Sequence, residues 1–411
     1  MTSAAVSAHD QPLHLPEQIS ELASELARES IIAFDTEFIR ESTFYPVVEV
    51  IQVATAKKSW LVDAQAFRGA AEKKKGLEPL LEIFRNKNIL KIVHAAQGDQ
   101  ECLFTAFGTI ATPSLDTAVA ASFCGYGDGV GLGNLLKSLL GVNLKKGHAR
   151  TNWGVRPLPA QLLEYAHLDV AHLVEAGEKL LAELDKLGRR AWAMELSARF
   201  EDPGLYEPEP DQLTGKLARG GKVDAKGFAV LRELMRWREA RVRQLNLPRR
   251  WVADDQVLMD LAQVRPKDAA HLGAFRGLGK GEIKHSSEQI LAAIRVGLEQ
   301  ASQVEMPERS RSEIPSDDEK RVIDLLQCYV GILADQHQIA VKHVATSAQL
   351  LPLLRARDRS VEEWVRDGLL SEGAARLMGS EIRDFLMGRR ALSVSGRRVK
   401  VVSVSEPPRE G

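Results

Sequence analysis

The sequence has little cysteine: Cys102, Cys124 and Cys328 are the only ones among 411 residues, and no two of them share a CxxC spacing. This argues against a disulfide framework or a structural zinc site and favours a reducing compartment. The opening residues, MTSAAVSAHDQPLHLPEQ, lack the basic region and apolar core of a signal peptide. No run approaches the roughly 18 apolar residues of a membrane span. We therefore expect a cytoplasmic protein without membrane association, and nothing in the sequence indicates an obligate protein partner.

An excess of charge of either sign is also missing, since 55 Lys and Arg residues stand against 56 Asp and Glu residues. The basic residues are nevertheless unevenly placed, with eleven of them against three acidic residues in segment 216–250. In this segment Arg232, Arg236 and Arg243 form a stripe beside the apolar face of a predicted helix. The stripe could be a solvated face held by ion pairs with neighbouring acids, or a surface that contacts nucleic-acid phosphates.

The order of apolar patterns predicts an α/β domain followed by helical domains. Three short β-branched runs at 31–34, 47–54 and 59–62 predict a strand meander. Alternation of strand and helix follows as far as about Leu187, which implies a mixed sheet flanked by helices. Beyond this the pattern is helical, except for a possible short strand at 399–404. The predicted division is a disordered N-terminus at 1–14, the α/β domain at 15–200, a linker at 201–217, helical domains at 218–302 and 316–395, and a tail at 396–411.

Four carboxylates in three separate segments indicate the chemistry. Asp35 and Glu37 lie at i and i+2 in the first predicted strand, so both project from one side of the sheet and repel unless a cation lies between them. Asp99 follows a later strand at the start of a helix, and Tyr165 and Asp169 share one face of another helix. Each segment alone has an ordinary explanation, as solvent-facing acids, a helix N-cap or a surface pair. Together they favour Mg²⁺ or Mn²⁺, two of which about 4 Å apart stabilise a phosphoryl displacement.

The segments DTEF, HAAQGD and YAHLD resemble the three motifs of the DEDD superfamily of 3′–5′ exonucleases, tyrosine-type subgroup, in order and separation. Over about residues 15–200, stretches such as VIQVAT, SLDTAVAASFCG and KGHARTNW are similar to ribonuclease D. Residues 221–300 resemble an HRDC domain, and residues 316–392 resemble the weaker second HRDC-like domain of that family.

The resemblance implies an RNase H-like exonuclease domain followed by two small all-helical HRDC-type domains. It implies that Asp35, Glu37, Asp99 and Asp169 hold two metal ions, with Asp35 shared between them, and that Tyr165 holds the water nucleophile. The implied activity is release of 5′-monophosphates from RNA 3′ ends, with tRNA precursors as substrates. Independently of the resemblance, the excess of basic residues in segment 216–250 predicts that the arginine stripe binds the body of the RNA. A DNA 3′–5′ exonuclease and a catalytically silent RNA-binding protein stay open as alternatives, although all four acids are present. The sequence argues against a helicase, because the stretch AFRGLGKGE departs from the Walker A pattern.

Overall fold

The computed structural model describes residues 11–69, 71–144, 151–220, 223–273, 275, 278, 280–305 and 315–405. Its first part contains the strands β1 (Ile31–Ile39), β2 (Val47–Ala54), β3 (Ser59–Asp63), β4 (Leu90–Val93) and β5 (Ser114–Asp116), in the sheet order β3-β2-β1-β4-β5. The first three strands form an antiparallel meander, whereas β4 runs parallel to β1 and β5 parallel to β4. The predicted mixed sheet is therefore confirmed. The sequence does not indicate β5, because three residues are too few to show an alternating pattern.

Helices cover both faces of this sheet. They are α1 (Pro16–Leu26), α2 (Ala71–Lys75), α3 (Glu78–Arg85), α4 (Gln97–Phe107), α5 (Thr117–Phe123), α6 (Leu132–Leu140), α7 (Ala160–Ala171), α8 (Leu173–Leu187) and α9 (Arg190–Ala198). Alternate residues of a strand point to opposite sides, so Ile32 and Phe34 of β1 join a core with α1, α3 and α4. Ala33 between them joins the core on the other face, with Ile92 of β4 and with α5 and α8.

The remainder of the chain is mostly helical. A first group comprises α10 (Pro210–Gly220), α11 (Ala225–Leu245), α12 (Arg249–Val252), α13 (Asp255–Val264), α14 (Ala269–Gly273) and α15 (Lys280–Glu299). A second group comprises α16 (Asp317–Gln336), α17 (Val341–Val344), α18 (Ser347–Arg355), α19 (Val361–Arg366), α20 (Glu372–Ala374) and α21 (Ser380–Leu386), and it ends in the strands β6 (Arg390–Ser395) and β7 (Arg398–Ser403). In the first group, Leu231 and Leu234 of α11 pack with Ile290 of α15, as the apolar pattern predicts.

Both helical groups contact the sheet domain through side chains bonded to backbone atoms. At the end of α11, the Asn246 side-chain oxygen accepts the N–H of Phe44 at 3.1 Å. At the end of α8, Arg189 donates to the carbonyl oxygens of Phe123 at 2.7 Å and of His337 at 2.8 Å. These bonds tie the loop after β1 to the first group and α5 to the second.

Segment 201–217, predicted as a linker, contains a 3₁₀ turn at Pro203–Leu205 and most of α10. α10 packs against α11, and Thr214 is fully buried. The high content of proline and acidic residues gave no helical signal in the sequence. The helix forms because its packing on α11 outweighs the low local helix propensity.

Both ends also differ from expectation. Residues 1–10 lie outside the described part, but the N–H of Leu13 donates to Leu61 O at 2.8 Å, so the last residues of segment 1–14 attach to β3. At the other end, the possible strand at 399–404 is found as β7, paired with β6. The second helical domain is therefore not all-helical, and segment 396–405 is not a free tail. Within the described ranges, no helix has the length and apolar character needed to cross a membrane.

Candidate active site

β1 lies at the centre of the sheet and carries two of the predicted acids. Buried Ile32 and Phe34 anchor the strand, and Asp35 and Glu37 follow at alternating positions. The pairing with β2 shifts register directly after Glu37. An irregularity of this kind bends a strand and re-aims its side chains. The two acids are thus presented together beside the core.

Asp99 reaches the same place from the first turn of α4. The turn before α4 contains Ala95 at a positive φ of 59°, and the carboxylate of Asp116 accepts the N–H groups of Ala95 and Ala96 at 2.9 Å each. Oδ1 of Asp99 accepts two hydrogen bonds from Thr36, from the backbone N–H at 2.8 Å and from the hydroxyl at 2.6 Å. Thr36 therefore ties Asp99 to β1. Sequence analysis did not identify Thr36, because nothing in DTEF indicates a partner 63 residues away.

α7 supplies Tyr165 and Asp169, one turn apart, and packs against β1, β2 and β3. Carboxylate oxygens of Asp35, Glu37 and Asp169 all lie within 4.8 Å of one another. Asp99 shares a side-chain hydrogen bond with Asp35 but is not one of these three acids. The hydroxyl of Tyr165 is hydrogen-bonded to Asp169. The structure thus brings the five residues predicted from sequence into one cluster.

The loop before α7 is held by Arg156, which sequence analysis also missed. Its guanidinium donates to both oxygens of Asp63 at 2.9 and 2.7 Å, to Trp153 O at 2.7 Å and to Glu49 O at 2.8 Å. A bidentate pair of this kind fixes orientation as well as distance. The buried Trp153 ring lies 6.0 Å from the ring of Tyr165, centroid to centroid. Arg156 therefore supports the ring against which Tyr165 packs.

Burial raises the pKa of every acid in the cluster. For Asp35 burial raises the pKa well above its usual value, and the negative charges of Asp99, Asp169 and Glu37 raise it further. Burial raises the pKa of Glu37 to about 8 and that of Asp169 to about 7. Burial raises the pKa of Asp99 to about 6, while the hydrogen bonds from Thr36 act in the opposite direction. Carboxylates placed this close cannot all be ionised near neutral pH without a compensating positive charge.

The cluster fits a divalent metal ion on these grounds. The three acids that converge within 4.8 Å offer only carboxylate oxygens. Such hard ligands suit Mg²⁺ or Mn²⁺ better than zinc. A cation among them would remove the mutual repulsion and offset the effect of burial. The donor set therefore supports the use of divalent metal ions.

The three arginines of the predicted stripe lie on α11, and each has an acidic neighbour. Arg236 and Arg232 pair with Glu233 at 2.8 and 3.3 Å, and Arg243 lies 3.9 Å from a carboxylate oxygen of Glu239. These are the contacts that the ion-pair alternative requires. Contact of the stripe with RNA stays a prediction.

Comparison with known proteins gives the family of the chain. One family model, described as 3′-5′ exonuclease, matches residues 12–185, and another, described as HRDC domain, matches residues 227–294. Ribonuclease D of Granulibacter bethesdensis is 32% identical over 393 residues, which cover 94% of this chain and 95% of the relative. Ribonuclease D of Acidiphilium cryptum is 32% identical over 395 residues, covering 94% and 96%.

A solved structure supports the same fold. Escherichia coli RNase D, described as an exoribonuclease involved in structured RNA processing, matches with a TM-score of 0.76 and 24% identity. The match covers 92% of this chain and 98% of that one. The fold is therefore the exonuclease sheet followed by helical HRDC-type domains. The chain belongs to the ribonuclease D family and is a 3′–5′ exoribonuclease.

Proposed function

We propose that this exoribonuclease releases 5′-monophosphates one at a time from RNA 3′ ends, with water as nucleophile and two divalent metal ions, in the maturation of tRNA precursors. The observation that carries this proposal is the convergence of Asp35, Glu37 and Asp169 within 4.8 Å. Asp99, bonded to Thr36 of β1, completes the set of metal ligands. Two cations held by these acids would stabilise the attacking and the leaving oxygen of an in-line displacement.

Asp35 is the acid that we assign to both metal ions. Its pKa is raised by burial first and then by the charges of Asp99, Asp169 and Glu37, so it has all three other acids as electrostatic neighbours. An acid in this central position can share its two oxygens between adjacent ions. The other three acids come from β1, α4 and α7.

Tyr165 orients the water in this proposal and does not deprotonate it. Burial raises the pKa of its hydroxyl, and the charges of Asp169 and Glu37 raise it further, so the hydroxyl keeps its proton at neutral pH. That proton is donated to the Asp169 carboxylate. The hydroxyl oxygen can still accept a hydrogen bond from a water molecule. Packing against Trp153 limits the movement of the ring.

The assignment to RNA is supported by the relatives and not by the acid cluster, and the narrower assignment to tRNA precursors rests on the family resemblance of the sequence motifs. The cluster itself could serve either nucleic acid, because selection for RNA depends on contacts to the 2′-hydroxyl. The relatives at 32% identity are named ribonuclease D, and the E. coli structure is described as processing structured RNA.

The test is hydrolysis of single-stranded RNA and DNA of matched sequence in Mg²⁺, with Asp169→Asn as the background control. We expect the RNA to shorten from its 3′ end with release of 5′-monophosphates, and the DNA to react far more slowly. Equal or faster cleavage of DNA would identify a DNA exonuclease, and no cleavage of either would identify a catalytically silent RNA-binding protein. The assignment to tRNA precursors is tested by comparing the rates at which a tRNA precursor and an unrelated RNA hairpin with the same 3′ extension are trimmed. Equal trimming of these two would remove the tRNA assignment.

A further inference from the structure

The C-terminal hairpin ends in an exposed basic tip that lies outside the acid cluster. β6 and β7 are joined by Gly396 and Arg397, and Gly396 has a positive φ of 62°. A two-residue connection with glycine in this conformation is typical of a tight hairpin. From Phe385 to Ser405 the sequence contains five basic residues and no acidic residue. The whole hairpin therefore carries charge of one sign.

The two faces of the hairpin differ in character. Leu392 and Val401 are opposite each other and are partly buried against the core of the second helical group. Because strand side chains alternate, the neighbouring pairs point to the other face. That face carries the apolar pair Ala391–Val402 at its base and, toward the tip, two exposed pairs that combine hydroxyls with cations: Ser393–Lys400 and Ser395–Arg398. The base of one face thus anchors the hairpin, and the part of the other face near the tip presents polar and basic groups to solvent.

The cations near the tip are not neutralised within the described part of the chain. At the base of the hairpin, Arg389 lies 2.8 Å from Asp384 and Arg390 lies 3.2 Å from Glu381. No such partner occurs, among the residues that the structure describes, for three others: Arg397, Arg398 and Lys400. This distinguishes the tip from the arginine stripe of α11, where each arginine has an acidic neighbour.

We propose that the hairpin tip binds the sugar–phosphate backbone of RNA at a distance along the strand from the nucleotide being hydrolysed. Arginine, lysine and serine side chains are the usual donors to phosphate oxygens, and such contacts position a nucleic acid without reading its sequence. The inference rests on RNA being the substrate, as proposed above. RNA is the expected occupant of the basic tip, because a longer RNA carries phosphates beyond those that the acid cluster can contact. Exposed Val394, 77% accessible beside the tip, would suit a second copy of the chain, which the experiment tests.

The experiment compares two triple variants with equal loss of charge. The test variant is Arg397→Gln, Arg398→Gln and Lys400→Gln. The control variant is Lys320→Gln, Arg321→Gln and Arg366→Gln, three exposed cations of the same helical group that each pair with an acid three positions away. Binding of a structured RNA with a single-stranded 3′ tail is measured against salt concentration in EDTA, so that the RNA is not hydrolysed.

We expect the test variant to lose about two to three units of the slope of log affinity against log salt, because each lost phosphate contact removes roughly one unit. Affinity at low salt should fall about tenfold or more, and the control should change little. The melting temperature of the test variant should be unchanged, since no internal partner is lost. An unchanged slope overturns the proposal. The proposal is also overturned if the test variant self-associates while its affinity for RNA is unaltered. That result would show that the cations serve to prevent edge-to-edge pairing of strands between copies of the chain.

Hydrolysis of a short RNA oligonucleotide separates this inference from the function on which it rests. We expect the test variant and the wild type to hydrolyse it at the same rate. If the wild type hydrolyses no RNA, the proposed function fails. If hydrolysis is normal and the salt slope of the variant equals that of the wild type, only the role of the hairpin fails.

Discussion

Replacing Thr36 by valine removes one hydroxyl from the support of the metal site. The Thr36 hydroxyl donates to Asp99 Oδ1 at 2.6 Å, a distance typical of a hydrogen bond to an ionised carboxylate. Such a bond contributes about 1.5–3 kcal/mol. At 1.36 kcal/mol per factor of ten, this corresponds to roughly 10- to 100-fold. Valine has the same shape, suits a strand and leaves the backbone N–H bond to Asp99 in place, so the change isolates the hydroxyl.

The assay for Thr36→Val is the rate of RNA hydrolysis as a function of Mg²⁺ concentration at several pH values. Because the hydroxyl holds the pKa of Asp99 down against burial, its loss raises that pKa further, and protons compete better with the metal. We expect the Mg²⁺ concentration for half-maximal rate to rise about 10- to 100-fold, with partial recovery at higher pH. Thr36→Ser, which keeps the hydroxyl, should behave like the wild type. The same Mg²⁺ requirement in the valine variant and the wild type would refute the role of Thr36.

Three further predictions address other parts of the molecule. Tyr165→Phe should lower kcat by about 10²-fold with little change in RNA affinity, whereas an unchanged kcat would show that the ring only fills space. The folded-state pKa of Glu37 is about 8, above its unfolded value, so the metal-free protein should lose stability as pH rises from about 4 through about 8. The increase in Tm on adding Mg²⁺ should therefore grow with pH. The same increase in Tm at every pH would contradict this. The combined change of Arg232, Arg236 and Arg243 to alanine should flatten the salt slope of RNA binding, as the predicted RNA contact requires, whereas a loss of stability of about 1–2 kcal/mol with an unaltered slope would assign the arginines to their ion pairs.

The acids of the site could be predicted from sequence because each lies in a short segment with its own local signal. Asp35 and Glu37 follow an apolar strand, and Tyr165 and Asp169 are separated by one helical turn. The groups that hold these acids gave no such signal. Thr36 and its partner Asp99 are 63 residues apart in sequence, and Arg156 and its partner Asp63 are 93 residues apart. Such pairs depend on how the loops fold back, which local periodicity does not record.

The fold shows the same division between local and long-range information. The meander of β1, β2 and β3 could be predicted because its strands are rich in β-branched residues and follow one another closely. α10 was not, because its helix is stabilised by packing on α11 within a segment rich in proline and acid. The valine-rich run at 399–404 indicated a possible strand, which is β7, whereas the serines of β6 gave its partner no comparable signal.

The measurement that tests the account most directly is the single-turnover rate of 5′-monophosphate release from RNA by Asp35→Asn at saturating Mg²⁺. Asparagine preserves the shape of Asp35 and removes the charge that lies among the three other acids. The account predicts a loss of about a thousandfold or more in rate, with a Tm at neutral pH no lower than that of the wild type. A near-wild-type rate in a folded Asp35→Asn variant would show that hydrolysis takes place elsewhere than at this acid cluster.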